Sequence, residues 1–308
     1  MRAGLDLGGT KTEIAMIDEG GAVRLRRRVP TPPGYDAKLR CLRDLLAAAE
    51  AEAGPAATIG VGVPGSVGPV SGVMRNANST ELNGRALPAD LAALLGRPVR
   101  VENDANCFAL AEALAGAGKG AATVFGVILG TGVGGGIVAE GRLLAGANAI
   151  GGEWGHTPLP MPTKAERPGP ACWCGRQGCV ETWLCGPALA ADHAAVTGRR
   201  EAPEALAASG DPAARATLAR HRERLARALS VVVNILDPDA IVLGGGLSNL
   251  PGLGEGLAEA LAPHVFSDSV STAVRRNALG DSAGVIGAAW LWPAAAAGAS
   301  FGTEEDRP

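Results

Sequence analysis

Two stretches of this chain follow one pattern, and that repetition limits the fold more than any other feature. In residues 2–18, Ala3-Gly4-Leu5 leads into Asp6-Leu7-Gly8-Gly9-Thr10-Lys11, and a rough apolar/polar alternation follows with Ile14, Met16 and Ile17 apolar. In residues 124–140, Val124 to Leu129 leads into Gly130-Thr131-Gly132-Val133-Gly134-Gly135-Gly136-Ile137 before a turn at Gly141. Each reads as strand, glycine tip, strand. The tips leave bare backbone N–H groups that suit phosphate oxygens. Thr10 adds a hydroxyl and Lys11 a charge, and Asp6 is placed to hold Mg2+ through water. An ordinary hairpin turn is the plain alternative for either stretch taken alone. The second is no dinucleotide fingerprint, because that motif opens a helix and β-type residues follow here. No GK[ST] triplet makes a Walker loop. One such hairpin in each half suggests a nucleotide held between two similar domains.

The rest of the first half reads as α/β. Residues 23–29 form a strand whose arginines line a solvated edge. Residues 36–53 form a helix with Leu39, Leu42, Leu45, Leu46 and Ala49 on one face, and residues 58–63 a buried strand ending in Pro64-Gly65. Residues 73–87 hold Asn76, Asn78, Ser79, Thr80 and Asn83, which read as a polar surface loop or as a loop facing a sugar. A strand over 98–101 runs into Glu102-Asn103-Asp104-Ala105-Asn106 and a helix over 107–115. A carboxylate at such a junction is a candidate general base. Asp104 also suits a helix N-cap, and Asn106 offers itself for the same task.

A glycine-rich link at 116–123 sets expected domains of 1–118 and 119–281, with a closing helix 282–292 returning to the first. Helices are expected over 187–197, 203–209 and 212–233; residues 229–233 are apolar all round and so expected to be buried. Gly244-Gly245-Gly246 follows a strand at 240–243 and precedes a helix at 253–261. It suits close approach of a base or ribose, or a tight turn. The tail 293–308, Ala-rich and then acidic, is expected to lack fixed structure.

Residues 150–181 carry the other signal. His156 stands upstream of Cys172, Cys174 and Cys179, giving a Cys3His set for tetrahedral zinc, with Gly175 and Gly178 letting the backbone wrap the ion. Four protein ligands leave no open position, so the zinc is structural. It would pin two loops so that Glu153, His156 and Glu181 face a small polar ligand. Cys41, Cys107 and Cys185 read as core residues.

Composition narrows the classes. A length of 308 residues with 47% hydrophobic content allows two domains with sizeable cores. A net charge of −3 gives no general attraction to nucleic acid or to an anionic membrane. No secretory signal or membrane span is apparent, and metal-spaced thiols suit a reducing cytoplasm.

Together DLGGTK, ENDAN, GEWGH, GTGVGGG and CWCGRQGCVE resemble the ROK family of bacterial sugar kinases and related repressors, over about residues 2–292. The resemblance implies the two-domain ATPase fold of actin and hexokinase, with ribonuclease H-like repeats and an interdomain cleft. It implies Asp104 as the base for a sugar 6-hydroxyl, and Gly65, Asn78, Asn103, Glu153, His156 and Glu181 around the sugar. Asp6, Gly8, Gly9, Thr10 and Lys11, then Gly130, Thr131, Gly132, Gly134 and Gly135, would serve ATP and Mg2+. Gly244, Gly245 and Gly246 would lie near adenosine. A homodimer is expected. VPGSVGP, NANSTELNG and GEWGHTPLP resemble the fructokinase branch, including enzymes that accept mannose, so fructose is the expected acceptor. ENDANCFA and GTGVGGG look equally like N-acetylglucosamine kinases, which stand with glucokinases as the alternative. A repressor is disfavoured because no helix-turn-helix precedes Gly8. A sugar sensor without activity is disfavoured by Asp104.

Overall fold

The computed structural model describes residues 1–293, so the expected tail lies, but for Pro293, outside the described residues. The chain forms two compact units, one of Met1–Cys107 with the segment from Gly284, the other of Phe108–Ala283.

In the first unit, β1 (Arg2–Leu7) pairs antiparallel with β2 (Lys11–Ile17), and β2 pairs antiparallel with β3 (Val23–Pro30). Helix α1 (Tyr35–Ala53) crosses to β4 (Thr58–Val63), parallel to β1. A ribbon of β5 (Ser66–Val67) and β6 (Met74–Arg75) precedes α2 (Leu87–Leu95) and β7 (Arg100–Asn103), which is parallel to β4. The strand order is β3-β2-β1-β4-β7. Leu42, Leu45, Leu46 and Ala49 fall at helical spacing and bury one face of α1 against Leu5, Ile14, Met16 and Val61 of the sheet. The helix Ala283–Ala289 covers the other face of the sheet, packing Val285 and Ala289 on Ala15 and Ile17. That approach needs bare backbone, since a Cβ on Gly4 would lie 2.0 Å from the Val285 carbonyl oxygen. Arg26 and Arg28 of β3 pair with buried Glu13, and Arg24 and Arg27 with Asp18 and Glu52.

Helix α3 (Asp104–Ala115) contains the boundary between the units, ahead of the glycine-rich link. The second unit repeats the first topology. Strands β8 (Thr123–Leu129), β9 (Val133–Ala139) and β10 (Arg142–Leu143) run antiparallel, and β11 (Ala240–Gly244) and β12 (Ala273–Arg276) add in parallel. The order β10-β9-β8-β11-β12 matches the first sheet position for position. This is the doubled actin/hexokinase-like ATPase fold.

Its helices are α4 (Glu181–Leu184), α5 (Gly186–Thr197), α6 (Pro203–Ala208), α7 (Pro212–Leu236) and α8 (Leu257–Leu261). Leu225, Ala228, Leu229 and Val233 of α7 join the core. The stretch 229–233 is not buried all round as expected, for Val231 is partly exposed, and beyond it Ile235 is 82% exposed. These two line an apolar groove of about 570 Å³ with Ile150, Trp154 and Pro158. The helix expected at 253–261 is reduced to α8, because a 3₁₀ turn at Gly246–Asn249 and the glycines at 252, 254 and 256 take up the chain before it. The closing helix spans Ala283–Ala289 rather than 282–292.

Candidate active site

In the first unit, β4 and β7 lie in parallel register with Val63 opposite Asn103, so their C-terminal ends meet. Asn103 is the true cap of α3. Its Oδ1 accepts from the Ala105 N–H at 2.9 Å and the Asn106 N–H at 3.3 Å, satisfying two free donors of the first turn. This corrects the assignment of the cap to Asp104 or Asn106. Asp104 is the first residue of the helix and exposed, and Asn106 is instead buried, donating its side-chain amide to Glu102. The Asn103 Nδ2 donates to the Gly65 carbonyl at 3.0 Å. Gly65 has φ +80, and a Cβ there would lie 2.5 Å from the Arg75 carbonyl oxygen. The structure therefore brings Gly65, Asn103 and Asp104 together at one sheet edge.

Asp6 belongs to the same group. Burial first, and then the charges of Asp104 and Glu13, push its carboxyl up to about 7 against the pull of Arg28. The hairpin tip beside it is closed by Gly8 N–H donating to the Lys11 carbonyl at 3.0 Å, and a Cβ on Gly8 would meet that oxygen at 2.7 Å. Gly9, Thr10 and Lys11 stay exposed, as a phosphate cradle requires. Of the polar loop, Asn78 is exposed, while Asn83 is spent on its own loop, exchanging hydrogen bonds with the backbone N–H and carbonyl of Ala77.

In the second unit, the tip is Gly130, Thr131 and Gly132, with Gly130 N–H donating to the Gly132 carbonyl at 2.9 Å. Gly134 and Gly135 lie inside β9, paired with Ile128 and Val127. Gly135 is buried, and a Cβ there would press 2.8 Å from the Trp154 ring. Neither belongs to the tip as expected; Gly135 instead lets the GEWGH segment lie on the strand. The Trp154 indole donates to the Gly134 carbonyl at 2.9 Å and meets Phe125 edge to face. Gly152 and Gly155 also press on β9 backbone, at Gly135 and at Val133, which lays the segment carrying Glu153 and His156 along that strand. Of the third glycine group, Gly245 takes φ +80 so that its Cα can pass the Leu129 backbone beside the tip, Gly244 packs under Phe108, and Gly246 has open space.

The donor atoms of His156, Cys172, Cys174 and Cys179 lie within 4.8 Å of one another. A tetrahedral zinc with Zn–S near 2.3 Å and Zn–N near 2.0 Å sets S–S edges of about 3.8 Å and S–N edges of about 3.5 Å. Cys174 Sγ lies 3.7 Å from Cys179 Sγ, and Cys172 Sγ 3.6 Å from His156 Nδ1. The residues fit the ion. Gly175 and Gly178 both take positive φ in the knuckle. Hydrogen bonds from the Arg176 side chain and backbone bring the Cys174 thiol down to about 6.

Glu181 opens α4. Its Oε2 accepts from the Val133 N–H at 3.0 Å and its Oε1 from the Trp173 indole at 2.7 Å. Trp173 escaped sequence reasoning because it stood between two metal-ligand cysteines and passed for a spacer. Buried Glu166 was also missed. It is ion-paired to Arg224 and Arg227 of α7 and anchors the segment that leads to the knuckle. Partners 58 and 61 residues away leave no local signal.

The model of the ROK family matches residues 2–295. Among curated proteins, the chain is 40% identical to an N-acetyl-D-glucosamine kinase of Escherichia coli O6:H1, covering 94% of this chain and 99% of that one. It is 39% identical, with the same coverage, to one of Shigella boydii. Among solved structures, it is similar to the ROK hexokinase of Thermus thermophilus, with a TM-score of 0.83, 35% identity, and 94% and 97% of the two chains covered. A Streptomyces griseus ROK glucokinase in complex with glucose and AMPPNP follows at a TM-score of 0.75 and 28% identity, with 94% and 98% covered.

Proposed function

The chain belongs to the ROK family as one of its sugar kinases, and we propose that it transfers the γ-phosphoryl group of ATP to the 6-hydroxyl of N-acetyl-D-glucosamine. The observation that carries the acceptor is the 40% identity to an N-acetyl-D-glucosamine kinase over nearly the full length of both chains. It reverses the order of the two acceptors weighed on sequence. The fructose reading rested on VPGSVGP, NANSTELNG and GEWGHTPLP, with the polar loop weighing most, and Asn83 of that loop is committed to Ala77.

Asp104 is the base. It takes the proton of the 6-hydroxyl as that oxygen bonds to the γ-phosphorus, and the bond to the β-bridging oxygen breaks to release ADP. Asn103 has a second amide hydrogen beyond the one given to Gly65, and it holds a neighbouring hydroxyl. Asn78, Glu153, His156 and Glu181 complete the sugar contacts. The tips at Gly8 to Lys11 and Gly130 to Gly132 hold the phosphates by backbone N–H groups, with Gly244 to Gly246 near the adenosine. Such a transfer depends on positioning and charge neutralisation rather than covalent chemistry by the protein. Mg2+ supplies part of that neutralisation when bound. Asp6 suits it, as a carboxylate crowded by Asp104 and Glu13 whose charge a cation would relieve. Zinc has a structural part, with its four positions filled by protein. The six free cysteines fit a cytoplasmic setting, and a homodimer is the expected assembly.

The test is ADP release with Mg-ATP and N-acetyl-D-glucosamine, comparing the protein with Asp104→Asn. The variant keeps sugar binding and loses turnover by about 10²–10⁴-fold, the usual weight of a general base. Near-normal turnover in the variant refutes this reading.

A further inference from the structure

Glu181 has both carboxylate oxygens occupied by groups that belong to different structural elements. One oxygen accepts from the backbone N–H of Val133, the first residue of β9, at 3.0 Å. The other accepts from the indole N–H of Trp173 at 2.7 Å. Trp173 lies between the ligand cysteines Cys172 and Cys174, and its ring meets that of His156 edge to face at 4.9 Å. It is 63% exposed, so core packing does not account for it. On the other side, a Cβ on Gly132 would stand 2.7 Å from the carboxylate oxygen bound to Val133, so the carboxylate lies directly against the glycine tip. The start of α5 also holds that tip, through Gly186 N–H donating to the Gly130 carbonyl at 2.8 Å.

A carboxylate held at one oxygen can swing about its χ angles. Held at both, it has one orientation, and here the knuckle sets it. We propose that Trp173 is a positioning residue that couples the Cys3His knuckle to the tip at Gly130 to Gly132 through the Glu181 carboxylate. Ordering of the knuckle thereby fixes the backbone that receives the donor phosphates. Trp173 touches no reacting atom and acts on Glu181. The inference rests on the reading of this tip as a phosphate site.

The test uses Trp173→Phe, which keeps a ring beside His156 and removes only the N–H. Zinc content and Tm stay at wild-type values. Affinity for a non-hydrolysable ATP analogue, read by calorimetry without sugar, weakens about fivefold, the size of one net hydrogen bond. KM for ATP rises by a like factor, and amide exchange in peptides covering residues 130–136 quickens while that of α1 is unchanged. In a Glu181→Gln background, Trp173→Phe adds less than about twofold, because the two changes break one linkage. Wild-type analogue affinity and wild-type exchange at the tip would overturn the proposal, as would full additivity in the double variant. If Trp173→Phe loses zinc or fails to fold, exchange at 130–136 is read on the wild-type protein with and without chelator. Unchanged exchange there rejects the coupling. A wild-type protein that binds the analogue and phosphorylates no sugar defeats the proposed function alone. One that fails to bind the analogue defeats both.

Discussion

The side-chain amide of Asn103 donates to the carbonyl of Gly65 at 3.0 Å, while its oxygen caps α3. One residue thus fastens the turn after β4 to the start of the helix that presents Asp104. Asn103→Ala loses both ties. Stability falls by about 1–2 kcal/mol, the weight of an N-cap, and kcat/KM for the sugar falls further than the Tm shift accounts for. Asn103→Asp keeps a capping oxygen and recovers most of the stability without the sugar affinity. Urea unfolding and steady-state kinetics on both variants check this.

Asp6 predicts an opposition between stability and activity. Its folded-state pKa, about 7, lies above the ordinary carboxylate value, so the folded protein binds the extra proton. The stability it supports is complete at pH below the ordinary value and is lost as pH rises through about 7. Asp6→Asn removes the crowded charge. Its Tm exceeds that of the wild type by about 2–4 °C at pH 8 and matches it at pH 4, while turnover is lost. Thermal melts across pH settle the sign.

Glu166 works the other way. Burial raises its carboxyl, but hydrogen bonds from Arg227, Arg224 and the Thr163 backbone outweigh that and bring it down to about 2. Because the folded value lies below the ordinary one, the stabilisation is present at neutral pH and fades as pH falls toward 2. Glu166→Ala takes one carboxylate from each of two buried guanidinium groups, leaving Asp192 to Arg224 and Glu223 to Arg227, and costs about 1–3 kcal/mol at pH 7. In urea titrations, the gap between variant and wild type narrows at pH 3.

Metal removal tests the knuckle. Metal analysis of purified protein finds a single zinc ion, and Cys174→Ser lowers that content. Chelation leaves the far-ultraviolet circular dichroism of the two sheets near native and abolishes sugar phosphorylation, because His156, Glu153 and Glu181 lose their shared support. Activity that survives complete zinc loss contradicts the structural role given to the ion.

Much of this was legible in the sequence because its signals are local. A strand-glycine-strand hairpin announces itself in a dozen residues, and the first tip lies where the pattern put it; the second is shorter than expected, because β9 begins at Val133 and takes Gly134 and Gly135 into its ladder. The Cys3His set is equally local apart from His156, and its four donors converge. What was not legible depends on distant partners. Asn103 took the cap from Asp104 because only the structure shows that Gly65 orients it. Glu166 finds Arg224 and Arg227 across a long separation. Residues 229–233 looked like core by composition, yet Val231 faces outward because helix polarity alone does not say where neighbours stop. The order of the two acceptors was hard to read for a related reason. A run of Asn, Ser and Thr shows hydrogen-bonding capacity, but Asn83 spends its capacity on its own loop.

The most direct measurement is kcat/KM with Mg-ATP for N-acetyl-D-glucosamine, glucose, mannose and fructose on one zinc-loaded preparation. The account predicts that N-acetyl-D-glucosamine leads fructose by at least about tenfold, equivalent to about 1.4 kcal/mol of transition-state binding. A fructose lead of that size would contradict the proposed acceptor and return the specificity to the loop at residues 76–84.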